Sequence, residues 1–274
     1  MSPQKPTSVP LEELAKKSKL VFVDNNIFFQ DRNKGREGVY LNLGDQVKKA
    51  KSFYDIRQSD IDRHLARMLH LVDVCERYSQ IVTVDEILYE YDESRDFLGR
   101  TFDRLKQRHH DKRYYGTVQE LLKICGLHRD LYNLLQLRTA NRQSAEPLVR
   151  ALLRTDLHKP KDGRFMKVGN GIPKDNVTYQ RDITLVANAI QAAVEEEGSI
   201  AILSDDCDIF NLVRNIGEKY RDNSPISPEC STKLKRSVTA YSTDVNLWHP
   251  GLMIVHVTDT EMNMRLRYRK RERR

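Results

Sequence analysis

The chain has 274 residues, 39% of them hydrophobic and 31% charged, with a formal net charge of +7. That length suits one large domain or two small ones, and no apolar run approaches the ~20 residues needed to span a bilayer, so no membrane partner is expected. The excess of basic residues points toward polyanionic partners.

Residues 1–10 lack the apolar run of a secretory leader. Cys75, Cys125, Cys207 and Cys230 are scattered without a CxxC spacing. Reduced thiols in a cytoplasmic setting are therefore expected, not a disulfide framework or a thiolate zinc site.

In chain order, residues 1–18 are polar, carry three prolines and read as a flexible N-terminal tail. Leu20-Val-Phe-Val-Asp24 reads as a short buried strand with no polar face, ending on a carboxylate, and Asn25 and Asn26 open the next loop. Ligands of parallel α/β sheets collect beyond the C-terminal ends of the strands, which makes Asp24 the first candidate functional acid. Residues 31–44 carry three glycines and read as a loop. A helix is expected over 59–78: Ser59-x-x-Asp62 resembles a capping box, and Ile61, Leu65, Met68, Leu69, Val72 and Cys75 recur at helical spacing. His64 and His70 on that helix are not at the i, i+4 spacing of a metal pair and read as structural or surface residues.

Residues 80–84 form a second expected strand, running into a helix on which Glu86, Glu90 and Glu93 share one face. A solvated acidic face is the plain explanation; a carboxylate aimed at the same crevice as Asp24 is the sharper one. Residues 92–158 read as a helical insertion with its own apolar stripes. These are Phe97, Phe102 and Leu105, then Val118, Leu121, Leu122 and Cys125 with a break near Gly126, then Leu131, Leu134 and Leu135, and a last helix from about 144. The basic faces of this insertion suit a nucleic-acid backbone.

Residues 159–176 are rich in glycine and proline, and Lys161, Arg164 and Lys167 make them a candidate substrate loop. A helix over 179–194 carries Asp182 in its first turns, where the helix dipole alone would account for an acid. The strand at 199–203 ends in Ser204-Asp-Asp-Cys-Asp208. Residues 252–257 form a last strand, expected at the sheet edge, and 263–274 a basic C-terminal tail. In that tail Arg265, Arg267 and Arg269 alternate around Tyr268 in a manner suited to nucleic acid.

Acids thus follow three separate strands: Asp24, then Glu90 or Glu86, then Asp206 and Asp208, with Asp182 added from a helix. Crowded carboxylates repel unless one protonates or a cation neutralises them. Hard oxygen donors without thiol or imidazole suit Mg²⁺ or Mn²⁺, ions that activate water and stabilise a leaving oxygen in phosphodiester hydrolysis.

Val23-Asp-Asn-Asn-Ile-Phe28 resembles the opening motif of PIN-domain nucleases. Residues 81–90 are similar to that family's second strand and Glu-bearing helix, Asp182-Ile-Thr-Leu-Val-Ala187 to its third acid and alanine-rich helix, and Leu203-Ser-Asp-Asp-Cys-Asp-Ile-Phe210 to its Thr-x-Asp-x-Asp-Phe motif, in the family's order. The resemblance implies an α/β, PIN-like three-layer α/β/α fold with a central, mainly parallel sheet over 19–262. The helical segment of about 92–158 is additional to a minimal domain. It implies a Mg²⁺- or Mn²⁺-dependent endoribonuclease in which Asp24, Glu90, Asp182 and Asp206 are catalytic and hold the metal, with Asp208 as an outer metal ligand and Asn26 and Ser204 in support.

Ser204 stands where the family has threonine. Asp205 leaves the register of the fourth acid open, and Glu86 competes with Glu90, which is preferred for its distance from the strand. The implied partners are an RNA substrate and a homodimer mate, with an antitoxin or an RNA-processing partner according to the setting; the long chain and basic tail favour processing. Two other readings compete. One is an inactive PIN-like scaffold that binds RNA or protein. The other is an aspartyl-phosphate phosphotransferase, which would need an Asp where Asn26 stands.

Overall fold

The computed structural model describes residues 8–31, 41–108, 114–153, 176–196, 200–204, 209, 212, 252–257 and 263–266. Ser8–Pro10 forms a short strand, β1, and Leu11–Lys17 a helix, α1, that buries Leu11, Leu14 and Ala15. Of the flexible tail expected over 1–18, residues 8–17 are instead ordered, because the spacing of those three residues makes an apolar stripe that is covered on folding, and residues 1–7 lie outside the described residues. Leu20–Val23 follows as β2, then Asn26–Phe29 as α2. Next come the two-residue strands Gln30–Asp31 (β3) and Leu41–Asn42 (β4), and Leu43–Lys49 as α3, which begins within the last two residues of the expected 31–44 loop.

Gln58–Arg77 is α4, Ile81–Val82 is β5, Asp85–Arg108 is α5 and Tyr115–Gln136 is α6. Glu146–Leu153 is α7, Asn176–Glu195 is α8, and Ile200–Leu203, Leu252–Val257 and Asn263–Leu266 are β6, β7 and β8.

Six strands make one sheet in the order β1-β8-β7-β6-β2-β5. β5, β2, β6 and β7 run parallel, with Val21 beside Ile81, Val23 beside Leu203 and Leu203 beside Val255; β8 is antiparallel to β7 and to β1. Two expectations change here. The strand at 252–257 lies inside the sheet, not at its edge, because β8 and β1 extend the sheet past it. The tail boundary at 263 falls within a strand: Arg265 is in β8, in register with Ser8 and His256. Arg267 and Arg269 lie outside the described residues.

The side chains of the central strands alternate, as a pleated strand requires. Val21, Val23, Ile81, Ala201 and Leu203 join one apolar core with buried residues of α1 to α6. Phe22, Val82, Ile200 and Ile202 join another with Ile87, Leu148 and the α8 residues Val186 and Ile190. Helices therefore cover both faces of a small, mostly parallel sheet in a mostly helical chain. Strands buried on both sides need no polar alternation, which is why residues 20–23 are apolar throughout.

The 92–158 segment is not a unit apart. α5 passes through residue 92 without interruption, and Leu98, Phe102, Leu121 and Leu131 share a core with β2. No break occurs at Gly126; Leu121, Ile124 and Leu131 are buried on either side of it, and that packing outweighs the ~1 kcal/mol that a mid-helix glycine costs. The capping box at Ser59 is not formed either. α4 starts one residue earlier, and the Ser59 carbonyl accepts from Arg63 Nε at 3.1 Å. In the turn before α4, the Asp55 carboxylate accepts from the backbone N–H groups of Lys51 and Ser52, at 2.7 and 2.9 Å.

A sealed polar group lies among α4, α5 and α6. His64 Nε2 is 2.9 Å from His128 Nε2, and the Tyr91 hydroxyl is 3.0 Å from both His128 Nδ1 and the His128 carbonyl. The carbonyl can only accept, so the Tyr91 O–H donates to it. His128 Nδ1–H then donates to the Tyr91 oxygen, its Nε2 is left as an acceptor, and His64 Nε2–H donates to that. Both rings are neutral in this assignment. Burial, reinforced by Arg67, drives His64 down to about 3; burial, His64 and Arg95 hold His128 well below the usual range. Phe29 of α2 stacks on His128 with ring centroids 4.4 Å apart.

Candidate active site

The sheet topology itself selects a place. From β2 the chain passes to β5 on one side; from β6 it passes to β7 on the other. Connections that leave adjacent parallel strands in opposite directions open a crevice beyond their C-terminal ends. Asp24 and Ser204 are the first residues past β2 and β6. The Asp24 N–H still donates to the Leu203 carbonyl at 3.0 Å, so the ladder carries both residues to the same height.

Asp24 is only 4% exposed and Ser204 is fully buried. The Ser204 hydroxyl donates to Asp24 Oδ2 at 2.6 Å, a short, charge-assisted bond, and Asn26 Nδ2 donates to Ser204 Oγ at 3.2 Å. Asn26, expected to hold the first acid, thus reaches it through the serine. The backbone N–H groups of Ile27 and Phe28 close on the Asp24 and Asn25 carbonyls, at 3.2 and 3.1 Å, and turn the chain into α2.

Asn25 is a residue that the sequence reading left without a role. It is 8% exposed; its Nδ2 lies 3.5 Å from Ser94 Oγ on α5, and its Oδ1 has no hydrogen-bond partner among the described residues. No periodicity marks it, because its partner is 69 residues away.

On α5, Glu86 and Glu90 diverge. Glu86 accepts from Asn141 Nδ2 at 3.4 Å, and Asn141 Oδ1 also caps the helix by accepting the Asp85 N–H at 2.8 Å. Glu90 faces α8: Arg181 lies 3.7 Å from it and 3.1 Å from Glu93, with its guanidinium 5.6 Å from the Tyr89 ring centroid. Arg181 thus ties α8 to the Glu90 and Glu93 face of α5, one residue before Asp182 in the chain. Asp182 is buried, at 8% exposure. Because α8 begins at Asn176, Asp182 is in its second turn, where the dipole effect has faded. The helix-start explanation of this acid is corrected accordingly.

Asp206, Asp208, Lys161, Arg164 and Lys167 lie outside the described residues. Among the described residues no group of three or more His, Cys, Asp or Glu side chains stands together to hold a metal ion. Asp24, Glu90 and Asp182 offer the hard oxygen donors that Mg²⁺ and Mn²⁺ prefer, but they do not by themselves form a closed ligand set.

The chain matches no protein-family model, no curated protein and no solved structure. Among the described residues no helix is long and apolar enough to cross a membrane.

Proposed function

We propose that the chain is a PIN-like, Mg²⁺- or Mn²⁺-dependent endoribonuclease with a three-layer α/β/α fold. The observation that carries the reading is Asp24: a carboxylate buried at the crevice of a parallel sheet, its second oxygen held by a hydroxyl from the neighbouring strand end. The hydroxyl fixes the rotamer of the carboxylate.

On this reading Glu90 and Asp182 complete the acid set from α5 and α8, and Asp206 and Asp208 supply the remaining donors. Arg181 offsets the charge of Glu90 and Glu93 beside them. The ion, when bound, would supply an activated water and charge neutralisation at the phosphodiester. The excess of basic residues fits an RNA substrate, and the setting proposed is cytoplasmic RNA processing, the alternative setting being a toxin with its antitoxin; a homodimer belongs to the same proposal.

The test is incubation of the protein with labelled single-stranded RNA, single-stranded DNA and a phosphomonoester, in Mg²⁺, Mn²⁺ or EDTA. RNA cleavage abolished by EDTA is expected. Asp24→Asn should lower cleavage by at least about a thousandfold while RNA binding is kept or strengthened, because a charge that repels phosphate is removed. Cleavage that survives this substitution rejects the assignment. One observation favours the inactive scaffold, namely that no three described acids stand together. That reading predicts RNA binding with no cleavage in any metal.

A further inference from the structure

Away from the crevice, three segments meet around a set of aromatic rings. The buried Phe53 ring lies 6.4 Å from Phe102 on α5 and 5.5 Å from Tyr114 just before α6, so the turn 53–55 is seated on the far half of α5 and the start of α6. Tyr54 meets Tyr114 edge-on at 4.6 Å. Tyr54 is 69% exposed, and Tyr115, the residue after Tyr114 and the first of α6, is 68% exposed.

Two large rings left in water beside a packed aromatic cluster cost apolar burial that either could otherwise have gained. Exposed cations lie on these and adjoining stretches, Lys49 at the end of α3, Arg57 before α4 and Lys106 and Arg108 in the last turn of α5, and the exposed Asp103 shares that half of α5. The acid between Tyr54 and Arg57, Asp55, is already engaged by the Lys51 and Ser52 N–H groups. Phe102 lies twelve residues beyond Glu90, so the aromatic face is about 18 Å further along α5 from the proposed acid site.

We propose that this face is a second contact for single-stranded RNA, with bases stacked on Tyr54 and Tyr115 and phosphates lying near Lys49, Arg57, Lys106 and Arg108. Exposed aromatic rings among cations are the physical recipe for single-strand binding, since every base has a π-face and every linkage a negative charge. A duplex hides its base faces and has no use for the rings. A second copy of the chain would bring like-charged surfaces together. The choice of RNA as the strand rests on the nuclease reading; the platform itself needs neither metal nor cleavage.

The test is binding of a short fluorescent single-stranded oligoribonucleotide to the full-length protein in EDTA, read by anisotropy, with a duplex RNA as control and the melting temperature checked for each variant. The double variant Tyr54→Ala, Tyr115→Ala should bind the single strand about tenfold or more weakly and the duplex unchanged. Tyr54→Phe, Tyr115→Phe, which keeps both rings, should bind as wild type. Wild-type affinity in the alanine variant overturns the proposal, as does an equal loss in the phenylalanine variant or an equal loss on duplex. A change of oligomeric state in the alanine variant without a change in RNA affinity overturns it in favour of self-association. Failure of the nuclease reading looks different: normal single-strand binding in EDTA with no cleavage when metal is added.

Discussion

Two buried polar arrangements, joined by the short helix α2, resolve the cost of burial in opposite ways. At one end of α2, Asp24 is an acid held at a strand end by a donated hydroxyl, with Asn26 behind it. At the other end, Phe29 stacks on His128, whose two ring nitrogens are satisfied by Tyr91 and His64. The histidine group neutralises itself, closes its donor–acceptor balance and lies between helices with nothing left to offer a ligand. The aspartate arrangement stands in a crevice set by the sheet topology, with Ser204 and Asn26 around it. Burial alone does not mark a functional polar group; what separates the two is where the topology leaves an opening.

The largest effect that tests this contrast is acid destabilisation. His64 titrates from about 3 in the folded chain against an ordinary 6.5, so the unfolded state takes up the proton first. The stabilisation is fully present above pH 6.5 and is lost as pH falls from 6.5 toward 3. The expected slope is about 1.4 kcal/mol per pH unit for this histidine, with a further loss in the same direction from His128. Urea unfolding between pH 7 and 4.5 measures it, and His64→Gln, which does not titrate, should flatten the curve. A profile unchanged by that substitution would mean that the histidines are not the buried neutral pair described.

Tyr91→Phe is next. It removes the acceptor of His128 Nδ1–H and the donor to the His128 carbonyl, both buried, for an expected loss of about 1–3 kcal/mol with RNA cleavage intact in what remains folded. Denaturant midpoint and cleavage rate measured together check this. An activity loss larger than the folding loss would join the two arrangements that the comparison separates.

Ser204→Ala reverses the emphasis: about 1 kcal/mol of stability, because the buried Asp24 carboxylate loses one donor, against roughly a tenfold fall in cleavage. Ser204→Thr should restore the rate. A large stability loss with unchanged cleavage would make Ser204–Asp24 another structural pair.

Much of the fold is legible along the chain. Leu20–Val23 and Ile200–Leu203 declare themselves as strands buried on both faces, and α4, α5 and α8 by helical spacing. Where the reading goes astray, longer-range packing overrides a local signal: Gly126 inside α6, Ser59 within a helix that starts before it, residues 8–17 in a region read as tail. Of the candidate site, the position of Asp24 at a strand end and the hydroxyl at Ser204 are visible as motifs. Glu86 and Glu90 are not distinguishable by spacing, since each is one helical turn from the other. Only the partners, Asn141 for one and Arg181 for the other, separate them.

The sequence by itself therefore determined the central strands and the long helices and that acids follow the strands, because backbone periodicity and local polarity act over a few residues. The tertiary structure alone decided that Ser204 meets Asp24 across 180 residues, that His64 finds His128 across 64, and that β7 lies inside the sheet. Such pairings depend on which surfaces close on each other when apolar area leaves water, and a contact between distant residues leaves no repeat in the chain that makes it.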